Sequence, residues 1–422
     1  MIPKPGKDHT KTSSYRPITL LAVLGKVFER LLTKAITNHL EKFQKLPSSQ
    51  AGFRPHQSCQ DQLLRLVEDG RTQIQRGRAH CTLATMFDIE KAFDKLWHDN
   101  LILKMYRHLR LSTQTIALVQ SFLSDRYVQF KVGTDLSTKL LLEAGCPQGS
   151  ILSPTLFNMS VSDIPQPTDN RGKRTTFLSQ FADDIATWSN SKDVRTARAD
   201  LQNYNDKIIA WCKKSRILLS SAKTQVILFK QRQPDPNEVF QIIDGNRIEG
   251  TDEVKFLGVT LDNQLNFKAH QKEIVKGINR KLNLFPAITG SSLNPRANAR
   301  TGLSILKSMI LPLSTYAPVV TCVRNKTQFR EIDALIARAT KLALHIPNCI
   351  SSDYAFAKAG ITRQEKLIPK LATSYITNPN RSTSIRQYVR TKEDMGQGKL
   401  IKLATQVRPF LTPIQKMEMT LD

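Results

Sequence analysis

The stretch TTFLSQFADDIATWS, residues 175 to 189, constrains the fold of this chain most tightly. Two aspartates, Asp183 and Asp184, sit side by side between Phe181–Ala182 and Ile185–Ala186. The flanking runs are apolar and β-favouring, so the stretch reads as a hairpin of two buried strands with the acidic pair near its tip. Asp-Asp is also a good turn dipeptide, and taken alone the pair reads as a solvated turn. The functional reading is a hard-oxygen site for a divalent cation. A like-charged pair repels itself unless positive charge stands beside it.

A second acid bears on the choice. CTLATMFDI, residues 81 to 89, reads as a strand, and Asp88 ends it between Phe87 and Ile89. An unpaired charge in an apolar setting is costly. Asp88, Asp183 and Asp184 together form one hypothesis: three carboxylates from two adjacent strands holding two divalent cations, an arrangement suited to phosphoryl transfer. Phe93 follows five residues after Asp88. It is either core packing or a wall beside the sugar of an incoming nucleotide, where a ring would clash with a 2′-hydroxyl. In GCPQGSILSPTLFN, Gly145 and Gly149 permit close backbone approach, Gln148 can donate to a nucleotide or template group, and the helix start that Ser150 can cap favours an anion. For that motif alone a structural loop-to-helix turn is the stronger reading. Lys223 precedes the strand KTQVILFK and could protonate leaving pyrophosphate, although most lysines are merely solvated.

The chain has 422 residues, enough for two to four subdomains. Its formal net charge of +26 points to a polyanionic partner, with nucleic acid ahead of an anionic membrane and a generically basic soluble protein as the alternative. Six cysteines show no zinc-ligand spacing and read as reduced intracellular thiols. The first residues are polar and basic, unlike a signal peptide. The longest uncharged run, 308 to 323, holds Pro312 and Pro318 and reads as buried core, so no membrane partner is expected.

Helical periodicity runs from Ala22 to Phe43, with Leu24, Val27, Phe28, Leu31, Leu32 and Ala35 as its apolar positions. VQFKVG reads as a strand, and the chain is mostly helical from Asn266 onward. In NFKAHQKEIVKGINRKLNLF, Lys268, Lys272, Lys276 and Arg280 recur every four residues, as do Ile274, Ile278 and Leu282. The two sets lie about 200° apart around a helix, so one face is basic and the other apolar. This is either an ordinary amphipathic surface helix or, as its all-basic stripe suits better, a phosphate-contacting one.

These motifs, in order, resemble a reverse transcriptase of the non-LTR retrotransposon type, and most of all the jockey-like elements. The resemblance is carried by IPKPGKD, SYRPITLL, SQAGFRPHQSC, FDIEKAFDKLWHDNLI, GCPQGSILSPTLFN, FADD, AKTQVILF and VKFLGVTLD, and it runs from residue 1 to about 347. It implies an α+β right-hand polymerase fold with fingers, an antiparallel-sheet palm and a helical thumb. The corresponding segments are 1–80 for the fingers, expected to be N-terminally truncated, 81–262 for the palm with interleaved fingers helices, and 263–347 for the thumb. Residues 348–422 are left poorly determined. Residue by residue, the resemblance makes Asp88, Asp183 and Asp184 metal-binding acids, Phe93 a sugar gate, Gln148 with Gly149 a nucleotide contact, and Lys223 a general acid. Arg16 would reach the triphosphate and Arg54 would contact nucleic acid from the fingers. Phe256, Leu257 and Gly258, in FLGV, would support the primer end. Ser220 and Ser221 stand where relatives usually carry Asn, often followed by Pro, before the Lys.

The implied activity is RNA-directed DNA synthesis with two Mg²⁺ ions, or Mn²⁺ in their place, on an RNA template and a DNA primer with dNTPs. Action in the nucleus and an endonuclease domain upstream in the full element are implied as well. A catalytically inactive RNA-binding remnant and an RNA-dependent RNA polymerase are the rival readings; Phe93 argues against the second.

Overall fold

The structure, a computed structural model, describes residues 2–381 apart from 4, 5, 7, 9, 12, 13, 17, 133, 169–174, 291–295 and 379. At the start β1 (Ile2–Pro3) pairs with β2 (Tyr15–Arg16), ahead of α1 (Val23–Lys42) and α2 (Cys59–Gln75). Helix α2 begins on a capping box: Ser58 Oγ accepts from the Gln60 amide, and the Asp61 carboxylate accepts from the Ser58 amide at 2.7 Å. The strand β3 (Cys81–Phe87) follows and is buried at every position.

Next come α3 (His98–Arg107) and α4 (Thr113–Leu123), then four two-residue strands: β4 (Tyr127–Val128), β5 (Lys131–Val132), β6 (Asp135–Leu136) and β7 (Leu140–Leu141). VQFKVG is therefore not one strand. It divides between β4, which pairs with β7, and β5, which pairs with β6. Tyr127 and Phe130 are exposed, so this arm buries little of its own apolar surface to hold a longer ladder together.

After α5 (Ser153–Ser160) the hairpin forms as expected, with β8 (Thr176–Phe181) and β9 (Asp184–Ser191). Helix α6 (Val194–Lys214) and β10 (Gln225–Lys230) complete an antiparallel four-stranded sheet in the order β10-β3-β9-β8. Helix α6 packs on β3 and β9, and α2 packs across all four strands. A buried polar network holds α6 to the sheet: Asn205 donates to Thr85 Oγ1 and Gln241 Oε1 and accepts from Thr187. Trp188 Nε1 donates to Asp69 of α2 at 2.9 Å. Covered by helices, the central strands are apolar with small polar residues rather than alternating.

The hairpin β11 (Phe240–Ile243) and β12 (Asn246–Glu249) flanks the sheet, and a second hairpin, β13 (Glu253–Phe256) and β14 (Val259–Asp262), leads into the last third of the chain. That third holds α7 (Lys268–Thr289), α8 (Ala299–Ile305), α9 (Leu311–Thr315), α10 (Pro318–Thr321), α11 (Lys326–Ala343), α12 (Ser352–Ala359) and α13 (Gln364–Ile376). Helix α7 buries Ile274, Ile278 and Leu282 against α11 and the segment 306–310, forming a helical core of its own. An antiparallel sheet with a separate helical bundle is the α+β plan expected of a palm and thumb.

Three expectations need correction. Helix α1 forms as read, but Leu24, Val27, Phe28 and Leu31 are exposed, Leu24 at 84%. Its buried residues are Glu29, Leu32, Ile36 and Leu40, about 135° around the helix. The run 308–323 is only partly core: Met309 and Tyr316 reach the surface, while Ala317 to Cys322 are buried. No described helix is long and apolar enough to cross a membrane. Residues beyond 347 are in part well placed. Phe356 of α12 joins the helical core, and α13 inserts Ile368, Ala372 and Tyr375 into the core beneath α2. Tyr375 Oη bonds Asp61 and Ser58 at the α2 capping box. Residues 382–422 lie outside the described residues.

Candidate active site

The register of the sheet assembles the site. Phe87 of β3 lies opposite Ile185 of β9, so one step further along the ladder sets Asp88 opposite Asp184. Phe181 pairs with Asp184 across the hairpin, leaving Ala182 and Asp183 as the turn. Ala182 has φ +57°, a left-handed conformation that disfavours side chains. Gln50, fully buried, holds it there: its Oε1 accepts from the amides of Ala182 (3.0 Å) and Gly52 (2.8 Å), and its Nε2 donates to the Ala182 carbonyl. A Cβ on Gly52 would lie 2.3 Å from the Ala182 nitrogen, so only glycine permits this backing. Asn158 of α5 donates to the Gly52 carbonyl at 2.8 Å. The SQAGF segment thus braces the acidic turn from behind. Gln50, Gly52 and Asn158 were not singled out from the sequence; the glycine between apolar residues in SQAGF was the available signal.

The charges at the turn are destabilised. Burial, and then the negative charge of Asp88, raise the Asp183 carboxyl. Burial, then Asp183 and Asp88, push the Asp184 carboxyl up to about 6, even though its side chain opens onto solvent. Lys223 Nζ pairs with Asp88 Oδ2 at 2.8 Å, and this bond raises the lysine above its ordinary value. The lysine is carried there by backbone: the Ser220 amide donates to the Asp88 carbonyl, and the Ser220 carbonyl accepts from the amides of Lys223 and Thr224. Lys223 is therefore supported by the main chain of Ser220.

A cleft of about 820 Å³ opens at this point, and its walls include Asp88, Asp183, Phe93, Gln148, Gly149 and Lys223. Phe93 is half-buried, with its ring 5.2 Å from that of Phe157. Gln148 Nε2 donates to Asp94 Oδ1 at 2.8 Å, and its carbonyl accepts from the Thr19 amide. Gly149 has φ +114°, and a Cβ there would meet the Thr19 carbonyl oxygen at 2.9 Å. The anion expected at the start of α5 belongs to the chain itself. Glu29 of α1 is buried, and its Oε2 accepts from Ser150 Oγ (2.6 Å) and from the amides of Ile151 (2.7 Å) and Leu152 (3.2 Å). Ser150 Oγ in turn accepts from the amides of Leu152 and Ser153.

Other predicted residues fall elsewhere. The Arg54 guanidinium turns inward, bidentate on Glu41 at 2.8 Å and donating to the carbonyls of Pro47 and Gln50. With its donors engaged inside the protein, it is a structural brace, and this corrects the reading of a nucleic-acid contact. Phe256 is buried at 3% exposure and cannot touch a nucleic acid, whereas Leu257 and Gly258 form the tip of the β13–β14 hairpin. The backbone of Arg16 lies in β2, and its side chain is outside what the structure describes. Lys268, Lys272, Lys276 and Arg280 are all exposed along α7, opposite its buried isoleucines.

Among the described residues no three His, Cys, Asp or Glu side chains stand close enough to enclose an ion outright. The chemistry of the donors nevertheless fits one. Asp183 and Asp184 are both disfavoured as anions by burial and by the negative charge of Asp88. A hard divalent cation relieves that repulsion.

Comparison with known proteins agrees with this geometry. The sequence model of the family described as reverse transcriptase (RNA-dependent DNA polymerase) matches residues 2–261. An RNA-directed DNA polymerase from mobile element jockey of Drosophila funebris is 31% identical over 350 residues, covering 80% of this chain and 36% of that protein. Its counterpart in Drosophila melanogaster is 30% identical over 345 residues, covering 81% of this chain and 37% of that protein. The chain thus spans well under half the length of these relatives. A solved apo telomerase from Candida tropicalis is similar at a TM-score of 0.41 and 12% identity, covering 89% of this chain and 59% of that one, a likeness too loose to carry argument. With the family's sequence matched across the sheet and Asp88 and Asp183 lining one cleft, the chain belongs to the reverse transcriptase family, among relatives from jockey-type non-LTR mobile elements.

Proposed function

We propose that this chain is an RNA-directed DNA polymerase that extends a DNA primer with dNTPs on an RNA template. The observation that carries the reading is the convergence of Asp88 and Asp183 in one cleft with Phe93, Gln148 and Lys223, with Asp184 opposite Asp88 in register. Asp88, Asp183 and Asp184 would hold divalent cations, Mg²⁺ or Mn²⁺. Bound there, such ions lower the pKa of a primer 3′-hydroxyl and neutralise charge developing on the phosphates.

The chain's own groups supply the rest. Lys223 holds a positive charge and a proton at Nζ beside Asp88, where both are available to departing pyrophosphate. Phe93, its ring packed beside that of Phe157, lines the cleft wall where it would exclude a 2′-hydroxyl. Gln148 and Gly149, fixed on Thr19 and Asp94, offer donors for the nucleotide. The basic stripe of α7 supports contact with the phosphates of a template–primer duplex. Work at a nuclear target site fits the mobile-element relatives.

The test is primer extension on an RNA template with purified protein, Mg²⁺ and either dNTPs or NTPs. The expected result is dNTP incorporation that Asp183→Asn abolishes while RNA binding persists. Incorporation retained in that variant would overturn the site, and preference for NTPs would shift the reading to an RNA polymerase.

A further inference from the structure

The β13–β14 hairpin is firm at its base and strained at its tip. Phe256 and Val259 are anchored in the core, at 3% and 0% exposure. Between them Leu257 has φ +45° and Gly258 φ +80°. A leucine in the left-handed region is unfavourable and persists only where its surroundings hold it. The group that holds it is Tyr316, which lies just beyond α9. Its hydroxyl donates to the Leu257 carbonyl at 2.7 Å. The same oxygen lies 3.3 Å from Sγ of Cys59, the first residue of α2. The tyrosine ring covers Gly258 so closely that a Cβ there would stand 3.2 Å from ring carbon Cε1. One side chain thus joins three parts of the molecule: the hairpin tip, the start of α2 and the segment that links the thumb helices to α10.

We propose that Tyr316 is a positioning residue for the primer. By fixing the Leu257 carbonyl and covering Gly258, it sets the hairpin tip at one height above the sheet, so that the primer end meets a preformed backbone surface. The inference rests on the reading that the hairpin supports the primer end. It assigns to the thumb-to-palm connection a role that the hairpin sequence does not reveal. Tyr316 touches no reacting atom, so its loss acts on primer placement rather than on the chemical step.

Tyr316→Phe keeps the ring over Gly258 and removes the hydroxyl. The experiment compares the full chain and this variant in three readouts: Kd for a recessed RNA–DNA duplex by fluorescence anisotropy, Kd for the single-stranded RNA alone, and the separate KM values for duplex and dNTP. One neutral hydrogen bond corresponds to about a two- to tenfold change, so the duplex Kd and KM should rise by roughly that factor. Single-strand Kd and dNTP KM should stay as they are, and the melting temperature should fall only slightly. Gly258→Ala, which presses a methyl against the ring at a positive φ, should weaken duplex binding in the same direction. An unchanged duplex Kd, or equal losses for duplex and single strand as a loosened fold would give, overturns the proposal. A wild-type chain that binds the duplex but adds no nucleotide refutes the polymerase reading and leaves the binding comparison as the test of Tyr316. A wild-type chain that binds no duplex refutes both.

Discussion

Helices α1 and α7 are both long and amphipathic, and the fold uses them in opposite ways. In α7 the apolar stripe of Ile274, Ile278 and Leu282 is buried and the basic stripe faces out, as the periodicity predicts. In α1 the more apolar stripe, Leu24, Val27, Phe28 and Leu31, faces out, while a stripe headed by a buried glutamate faces in. Helix α7 has partners for its apolar face in α11 and the segment 306–310. Helix α1 packs against α5, and there the Ser150 hydroxyl and the Ile151 amide need an acceptor. An unmet set of buried donors outweighs a few exposed methyl groups, because each buried orphan costs about 1–3 kcal/mol. Periodicity therefore tells that a helix forms; the polar demands of its neighbour decide which stripe goes in.

The sharpest way to break this contrast is to shave the same amount of apolar surface from each helix. Ile278→Ala, at a fully buried position, should destabilise the helical core of α7 and α11 by about 2–5 kcal/mol. Leu24→Ala on α1 should change stability by about 0.5 kcal/mol or less. Hydrogen exchange along α7 and α11, set against that along α1, measures both. Comparable losses from the two substitutions would mean that the exposed stripe of α1 is covered in solution.

Acid should single out α7 in a second way. His270, in its first turn, is buried and accepts from the Thr260 amide through Nδ1. Burial first, then Arg324 and Lys255, push its pKa down to about 4 against the opposing pull of Glu273. In the unfolded chain the imidazole takes up a proton as pH falls through its ordinary value near 6.5; in the folded chain it holds off to about 4. Between those values the unfolded state binds the extra proton, so stability falls with pH, by on the order of 3 kcal/mol once pH is below about 4. His270→Asn, which keeps an acceptor for Thr260, should flatten melting temperature between pH 6.5 and 4 relative to wild type. Parallel curves for the two proteins would sink the argument.

For α1 the decisive group is Glu29. Glu29→Ala strands the Ser150 hydroxyl and the Ile151 amide at the mouth of the cleft, since the Leu152 amide keeps Ser150 Oγ as an acceptor, so the Gln148–Gly149 loop should lose its fixed shape at a cost of about 1–3 kcal/mol. The loss should appear as roughly tenfold or more in kcat/KM for dNTP, with duplex affinity unchanged. Glu29→Gln keeps one acceptor oxygen and should lose less. If Glu29→Ala matched wild type in nucleotide incorporation, the carboxylate would be filling space rather than holding the loop.

Much of the sheet and of the acidic cleft could be read from sequence, because both depend on local pattern. Apolar, β-favouring runs around a charged pair mark the β8–β9 hairpin, and an acid ending an apolar strand marks Asp88. What could not be read depends on contacts between distant segments. Arg54 looks like any exposed arginine until Glu41, Pro47 and Gln50 close around it. Phe256 and Leu257 are neighbours in sequence, yet strand alternation buries one and leaves the other at the tip. Gln50 and Gly52 matter only because Ala182, some 130 residues away, takes a left-handed turn against them. Glu29 did leave a trace, a charge heading the Leu32–Ile36–Leu40 repeat, but the rival stripe of apolar residues is longer and masks it.

The smallest expected effect tests the outward faces themselves. If the stripe of α7 meets phosphates, each lysine in contact displaces counterions, and removing it lowers the slope of log K against log salt by about 1. The double substitution Lys272→Gln and Lys276→Gln should therefore reduce the salt slope for duplex binding by about 2 while barely altering stability, because both side chains are exposed. Leu24→Gln on α1 should leave that slope unchanged, since the face it alters carries no charge to exchange for counterions. An unchanged slope in the lysine pair would make the stripe of α7 a merely solvated face. A changed slope in the α1 variant would place nucleic acid against α1 as well, and the two outward surfaces would then share one partner.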